Sequence, residues 1–245
     1  MHNVISAQLY KCFKTKVFYI MLIIAVICTA TDVVIVSTTL QSKETEVING
    51  FLSMYDALSG GLFLIFVGIY AAIAYSSDYS SKSIRQIIGK GTKRTVYTLG
   101  MLVTVTAVSL IIVAAAYASG FIKGTIFGSG VGSFNAAMMI KFVIAVLVFT
   151  FMYVAYTGLI ANLTRKTTYT LLFTIFTPPL LQMVMIIIKA VSKQDVLMLD
   201  PISMMDKAVT VGTPNGEYLT AVIIYFCAGI IFTYMSIIVA KKKDL

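Results

Sequence analysis

For most of its length the chain shows no alternation of apolar and polar positions; it runs apolar almost without interruption. Such runs lie at about 17–40, 57–76, 97–122, 140–162, 168–191 and 218–240. Each reaches the roughly 20 apolar residues that a helix needs to cross the hydrocarbon of a bilayer. At about 1.5 Å of rise per residue, each covers about 30 Å or more. The first run continues past Asp32 to Val36, longer than the apolar segment of a secretory signal, so it predicts a retained span. The whole pattern predicts an all-α integral membrane protein with six transmembrane helices, a single domain over residues 1–245 and no soluble domain.

Periodicity returns between the runs. In "SKSIRQIIGKGTKRTVYTLG" (81–100), Ile84, Ile87 and Ile88 recur at i, i+3 and i+4, one apolar stripe of a short helix. Ser83 with Gln86 gives a capping-box spacing, Gly89 and Gly91 supply an end, and Thr92 caps the third span. A two-turn helix is not stable alone in water, and each isoleucine gains about 1.5–3 kcal/mol only if buried. The stripe must therefore be covered, either by lipid headgroups that attract Lys82, Arg85, Lys90, Lys93 and Arg94, or by a groove on another protein. At 1–16, Val4, Leu9, Cys12 and Phe13 lie beside Lys11, Lys14 and Lys16; the readings are an interfacial helix or a basic flank. Asp200-Pro201 reads as an N-cap with a first-turn proline, opening a short external helix that bears Ile202, Met205, Ala208 and Val209.

Composition sharpens this picture. Hydrophobic residues make up 59% and charged residues 12%, with mean hydropathy +0.93, against about 25% charged in soluble domains. The net charge of +9 is not a nucleic-acid signal, because the cations are sided. Thirteen of the nineteen Lys/Arg fall in 1–16, 77–96, 163–167 and 241–245, which places both termini in the cytoplasm by the positive-inside bias. The three cysteines are too dispersed for a disulfide framework.

Candidate chemistry is sparse. "GKGTKRT" has the residues of a phosphate-binding loop in the wrong order, so the chain has no such ATP site of its own. The single histidine is His2, which excludes metal-protease and serine-hydrolase chemistry; no charged pore ring of a channel is evident. Asp32, the one acid within these runs, would cost about 2.5–3.5 kcal/mol at the bilayer centre but falls in the outer half. It reads as a coupling or cation-binding carboxylate, or as a solvated or subunit-paired one. Pro178-Pro179 interrupt the fifth run and free the carbonyls of Thr174 and Ile175, which predicts a kink or break. Thr174, Thr177 and Gln182 would line a partly polar translocation path there, or the kink merely aids packing. Gly120, Gly124 and Gly128 have the small-xxx-small spacing of a close helix seam, but from Lys123 onward a loop is expected.

The pieces "SAQLYKCFKTKVFYI" (6–20), "SIRQIIGKGTKRTVYTLG" (83–100) and "LMLDPISMMDKAV" (197–209) occur in an order that resembles the membrane subunits of ATP-binding-cassette transporters of the type-2 permease family. That family's entry helix often carries an acid near the place Gln8 takes here. The resemblance implies an N-terminal interfacial helix and a cytoplasmic coupling helix between spans two and three. It also implies a separate ATP-binding subunit, in two copies, that holds ATP and Mg; no cofactor would bind this chain. Ile84, Ile87 and Ile88 would then enter that subunit's groove or anchor back on the bundle. Arg85, Gln86, Lys90, Lys93 and Arg94 would meet its polar rim, around the turn at Gly91. A second permease chain would complete a bacterial plasma-membrane exporter, similar to small permeases that expel antimicrobial or amphipathic peptides. The alternatives are another amphipathic, lipid-like or ionic cargo and, more distantly, a channel or sensor anchor.

Overall fold

The computed structural model describes residues 2–40, 49–57, 62–80, 83–89, 91–128, 130–132, 135–192 and 215–242. The expected external helix at 197–209 lies outside them. Among the described residues there are nine helices and no strand. They are α1 (His2–Lys14), α2 (Lys16–Leu40), α3 (Gly50–Asp56), α4 (Leu62–Ser80), α5 (Ser83–Gly89), α6 (Arg94–Phe127), α7 (Ala136–Thr164), α8 (Thr167–Ser192) and α9 (Asn215–Lys242).

Four of these, α6 to α9, are each long and apolar enough over 34, 29, 22 and 25 residues to cross a membrane, and α1 with α2 forms a fifth such segment, bent by 62°. The elbow is Thr15. Its hydroxyl donates to Lys11 O at 2.7 Å, its N–H donates to Cys12 O, and its carbonyl accepts from Phe18 N. Phe13 meets Phe18 edge-on across the bend at 5.2 Å.

The core is built around α6 and α7. Val105, Val108, Ile112 and Val113 of α6 and Phe149 and Val154 of α7 are almost wholly buried. α9 packs on α7, α1 and α2 on α6, and α4 lies against α6, α7 and α8. Outward, α8 and α9 present Phe173, Phe176, Ile187, Ile223 and Ile231 in the open. Such a surface is at home in acyl chains and costly in water. Buried hydroxyls on α6 and α7 donate to their own helix one turn back: Thr104 to Gly100 O, Thr150 to Val146 O and Thr157 to Tyr153 O. These three hydroxyls are thereby satisfied within their own helices inside an apolar bundle.

At the end of the bundle away from α5, α6 runs four residues past Lys123 to Phe127, where a loop was expected. The helix persists because α3 packs on it. A Cβ added at Gly120 would lie 2.6 Å from Ala57 Cβ, and one at Gly124 2.4 Å from Ser53 Cβ, so the two backbones touch through glycine. The entry to α3 is pinned by Gly50 N–H to Gly130 O at 2.9 Å and by Asn49 Oδ1, which accepts from Leu52 N. Lys123, itself buried, donates to Thr29 O, and the Thr29 and Ser119 hydroxyls bond each other, tying α2 to α6.

Because this seam has no room for a side chain, Gly124→Ala should separate α3 from α6 at about 1–3 kcal/mol, the usual cost of overpacking. Gly216→Ala, where nothing lies within 4 Å, should be neutral. Thermal unfolding of the detergent-solubilised chain, followed by circular dichroism, reads the difference.

Candidate functional site: the polar platform beneath the basic hairpin

The basic segment folds as expected from its pattern into the short helix α5 and a turn. Gly91 takes φ +89°, a conformation glycine adopts without penalty, and its N–H closes the turn on Ile88 O at 2.9 Å. The N-cap position of α6 falls on Lys93, without a side-chain bond, rather than on Thr92. Of the apolar stripe, Ile84 is buried at 4% exposure, while Ile87 and Ile88 are half-buried. Ile84 therefore seats α5 on the bundle and leaves its two neighbours partly open.

What α5 sits on is a set of polar cross-links. Asp78, two residues from the end of α4, is completely buried. Its carboxylate accepts from Lys11 Nζ and Gln8 Nε2 of α1 and from the Tyr97 hydroxyl of α6. An ionised carboxylate out of water costs several kcal/mol unless paired and hydrogen-bonded; here the compensation comes from two other helices. Next along α4, the Tyr79 hydroxyl donates to Asn162 Oδ1 of α7. The Asn162 amide in turn donates to Ser236 Oγ of α9 at 2.6 Å.

Arg94, at the start of α6, donates to the carbonyls of Ala240 and Lys241 at 3.3 and 3.2 Å. Those are terminal carbonyls of α9 that the helix itself cannot satisfy. Arg165 ends α7 in the left-handed region at φ 54°, where glycine is the usual residue. Its side chain lines a small cleft with Ile84, Ile88, Arg94 and Asn162. That cleft, about 20 Å³, is the size of a single water. Directly or through these bonds, α5 is joined to α1, α4, α6, α7 and α9.

The other expected site residues fall elsewhere. On α8, Thr174 and Pro178 are buried, Thr177 and Gln182 half-buried and Pro179 exposed. Of the expected kink or break, a break does not occur: α8 runs continuously through both prolines. An interior proline costs a helix about 3 kcal/mol, in part because the carbonyl four residues back loses its donor. For Pro178 that carbonyl is Thr174 O, and the Tyr153 hydroxyl of α7 supplies the missing bond at 2.5 Å. One turn along α7, the Tyr156 hydroxyl donates to Thr177 Oγ1 at 2.7 Å, which itself donates to Phe173 O.

An apolar recess of about 580 Å³ lies between α3, α6 and α7, walled by Phe51, Tyr117, Phe121, Met139 and Phe142; Thr174, Thr177, Pro178, Pro179 and Gln182 do not line it. Lys93 and Gly91 are exposed. The side chains of Asp32, Arg85, Gln86 and Lys90 lie outside the described residues.

Asp78 is the functional candidate that pattern reading passes over, because it stands among serines at the tail of a run. Its signal was charge. Within residues 1–16, 77–96 and 163–167 it is the one acid, and a lone carboxylate among so many cations is placed to gather them. No protein-family model matches the chain, and no curated protein matches it in sequence. Fold and site together define a multi-helix protein suited to a membrane, with a basic hairpin mounted on one cross-linked end.

Removing the shared acceptor should be the most damaging single change at this end. Asp78→Ala is expected to destabilise by about 3–5 kcal/mol, as loss of one partner of a buried pair does. Tyr97→Phe, which deletes one bond to a charge, should cost about 1.5–3 kcal/mol. Lys11→Met, which leaves the buried carboxylate without its cation but keeps the Gln8 and Tyr97 bonds, should also destabilise, and should cost less than Asp78→Ala because that change strands all three donors. Thermal unfolding checks the order, and faster tryptic cleavage after Lys11 and Lys14 in Asp78→Ala would report release of α1.

Proposed function

We propose that the chain is the membrane-spanning permease subunit of an ATP-driven exporter, with α2 and α4 completing six spans and both termini cytoplasmic. A separate ATP-binding subunit grips the hairpin around α5, and a second permease chain completes the path. ATP and Mg are held by that subunit, so this chain acts as a transducer rather than as an ATPase. The observation that carries this reading is the way α5 is mounted. A lever works only if its load reaches the body it moves. Here a two-turn helix is seated by Ile84 on an end where Asp78, Asn162 and Arg94 join five other helices.

Ile87, half-buried on the same stripe, is the apolar contact left to a partner, and exposed Lys93 is a charged one. The order of entry segment, basic hairpin and outer segment, which resembles the type-2 ATP-binding-cassette permeases, supports the same assignment. The cargo is an antimicrobial or amphipathic peptide expelled from a bacterial plasma membrane. Such cargo partitions from lipid, and the bundle offers it Phe- and Met-bearing apolar walls rather than charged ones.

Copurification with co-encoded proteins tests this. An ATP-binding protein should be recovered with the native chain and lost with Ile87→Asp and with Arg85→Glu, while both variants remain monodisperse. A buried interface isoleucine replaced by a charge costs about 2 kcal/mol or more, over tenfold in affinity. Recovery of no ATP-binding protein, or of one that stays bound to both variants, would overturn the assignment.

A further inference from the structure

We propose that the apolar recess between α3, α6 and α7 is a slot for one acyl chain of a bilayer phospholipid, which enters sideways between α6 and α7. Residue spacing makes the slot. Leu110, Ala114, Tyr117 and Phe121 recur at helical intervals on α6, as do Met139, Phe142 and Val146 on α7, so each helix gives it one stripe. Ala114 and Ala118 stand one turn apart at the mouth, where small side chains let a second helix come close. Here both are exposed, and the space above them stays open.

Burial separates a back wall from that mouth. Met54, Val113, Tyr117, Phe142 and Val146 are buried, whereas Val143 and Leu147 are each 46% exposed and Ile122 is 56% exposed. The slot therefore opens on the outer surface of two helices that are each long and apolar enough to cross a membrane. It is continuous with the apolar surface suited to acyl chains.

Its place along the helices matches one leaflet. Leu110 stands midway along α6, and Ile122 lies toward the end away from α5. On α7 the lining residues, Met139 to Leu147, fall in the half at that same end. From Leu110 to Ile122 a helix rises about 18 Å, against about 15 Å for half the hydrocarbon thickness of a bilayer. Phe51 and Met54 of α3 close the slot on its third side.

Chemistry and width select the occupant. Among the lining residues only Tyr117 has a side-chain oxygen or nitrogen, and that hydroxyl is itself buried. A cavity water needs polar partners, so neither water nor a headgroup belongs there, and an empty slot would forgo the dispersion contacts of its walls. A volume of about 580 Å³ drawn out over about 18 Å is about 6 Å across. A helix of a second copy, about 10–12 Å across with its side chains, does not enter. An extended hydrocarbon chain, whose carbons make contact at about 4 Å, does. The slot follows from the packing of three helices and does not rest on the exporter reading.

The chain has no tryptophan, so a single introduced one reports its own surroundings. The full chain is placed in phosphatidylcholine vesicles whose acyl chains are brominated or plain, because bromine quenches tryptophan on contact. Phe142→Trp reports the back wall and Phe121→Trp is a second reporter in the slot. Phe173→Trp, 52% exposed on α8, and Phe149→Trp, fully buried, are the references. Both slot reporters should lose fluorescence in brominated lipid nearly as far as Phe173→Trp, while Phe149→Trp keeps it. Filling the mouth with Ala114→Leu and Ala118→Leu should return Phe142→Trp to the level of Phe149→Trp and leave Phe173→Trp unchanged. Slot reporters quenched no more than Phe149→Trp would show a slot that is empty or covered by protein. Quenching of Phe142→Trp that survives the filled mouth would place the bromines outside the slot. Either result would overturn the proposal.

Discussion

The hairpin end of this molecule depends on one buried carboxylate. Asp78 belongs to α4, yet its oxygens are satisfied by α1 and α6. Its solvation is thus exchanged for bonds that exist only when three helices stand in one arrangement. Between helices in lipid the apolar surface gives little drive to associate, because acyl chains are as apolar as leucine. Polar bonds that have no good alternative then decide position and register. A buried ion pair contributes little net stability against an apolar replacement; its larger effect at this end is to specify which helix ends meet.

The same reasoning extends from Asp78 across the end of the bundle. Tyr79, the next residue of α4, reaches α7, and through Asn162 it reaches α9. Arg94, the first residue of α6, closes the last turn of α9 by meeting carbonyls that carry the negative end of the helix dipole. Each bond joins a residue near a helix terminus to another helix, where backbone groups lack intrahelical partners. An end built this way is cross-linked from helix to helix, and α5 is seated on it by Ile84.

Much of the fold was legible in the sequence because apolar length is a local property. The six apolar runs correspond to α2, α4, α6, α7, α8 and α9 within a few residues, and the Ile84-Ile87-Ile88 spacing and the turn at Gly91 were readable from eight consecutive positions. What was not legible depends on partners distant in the chain. The loop expected beyond Lys123 is helix because α3 fills the glycine seam. At Pro178, where a kink or break was expected, the helix is unbroken, and the carbonyl of Thr174 that the proline frees is met by the Tyr153 hydroxyl, 21 positions from it in the chain. Local rules count bonds removed; they do not see donors returned by another helix. Asp78 was hidden for a related reason, since the donors Gln8, Lys11 and Tyr97 lie on helices other than its own.

Bonding is also unevenly distributed. Cross-helix polar bonds gather at the hairpin end and at the Thr29-Ser119-Lys123 cluster of the opposite end, while α8 beyond Pro179 rests on apolar contact with nearly every side chain open. Regions with few buried contacts and few tertiary bonds open at the lowest free energy. The cross-linked ends and the openly placed side chains of α8 both trace to where the chain puts its few polar residues within a largely apolar sequence.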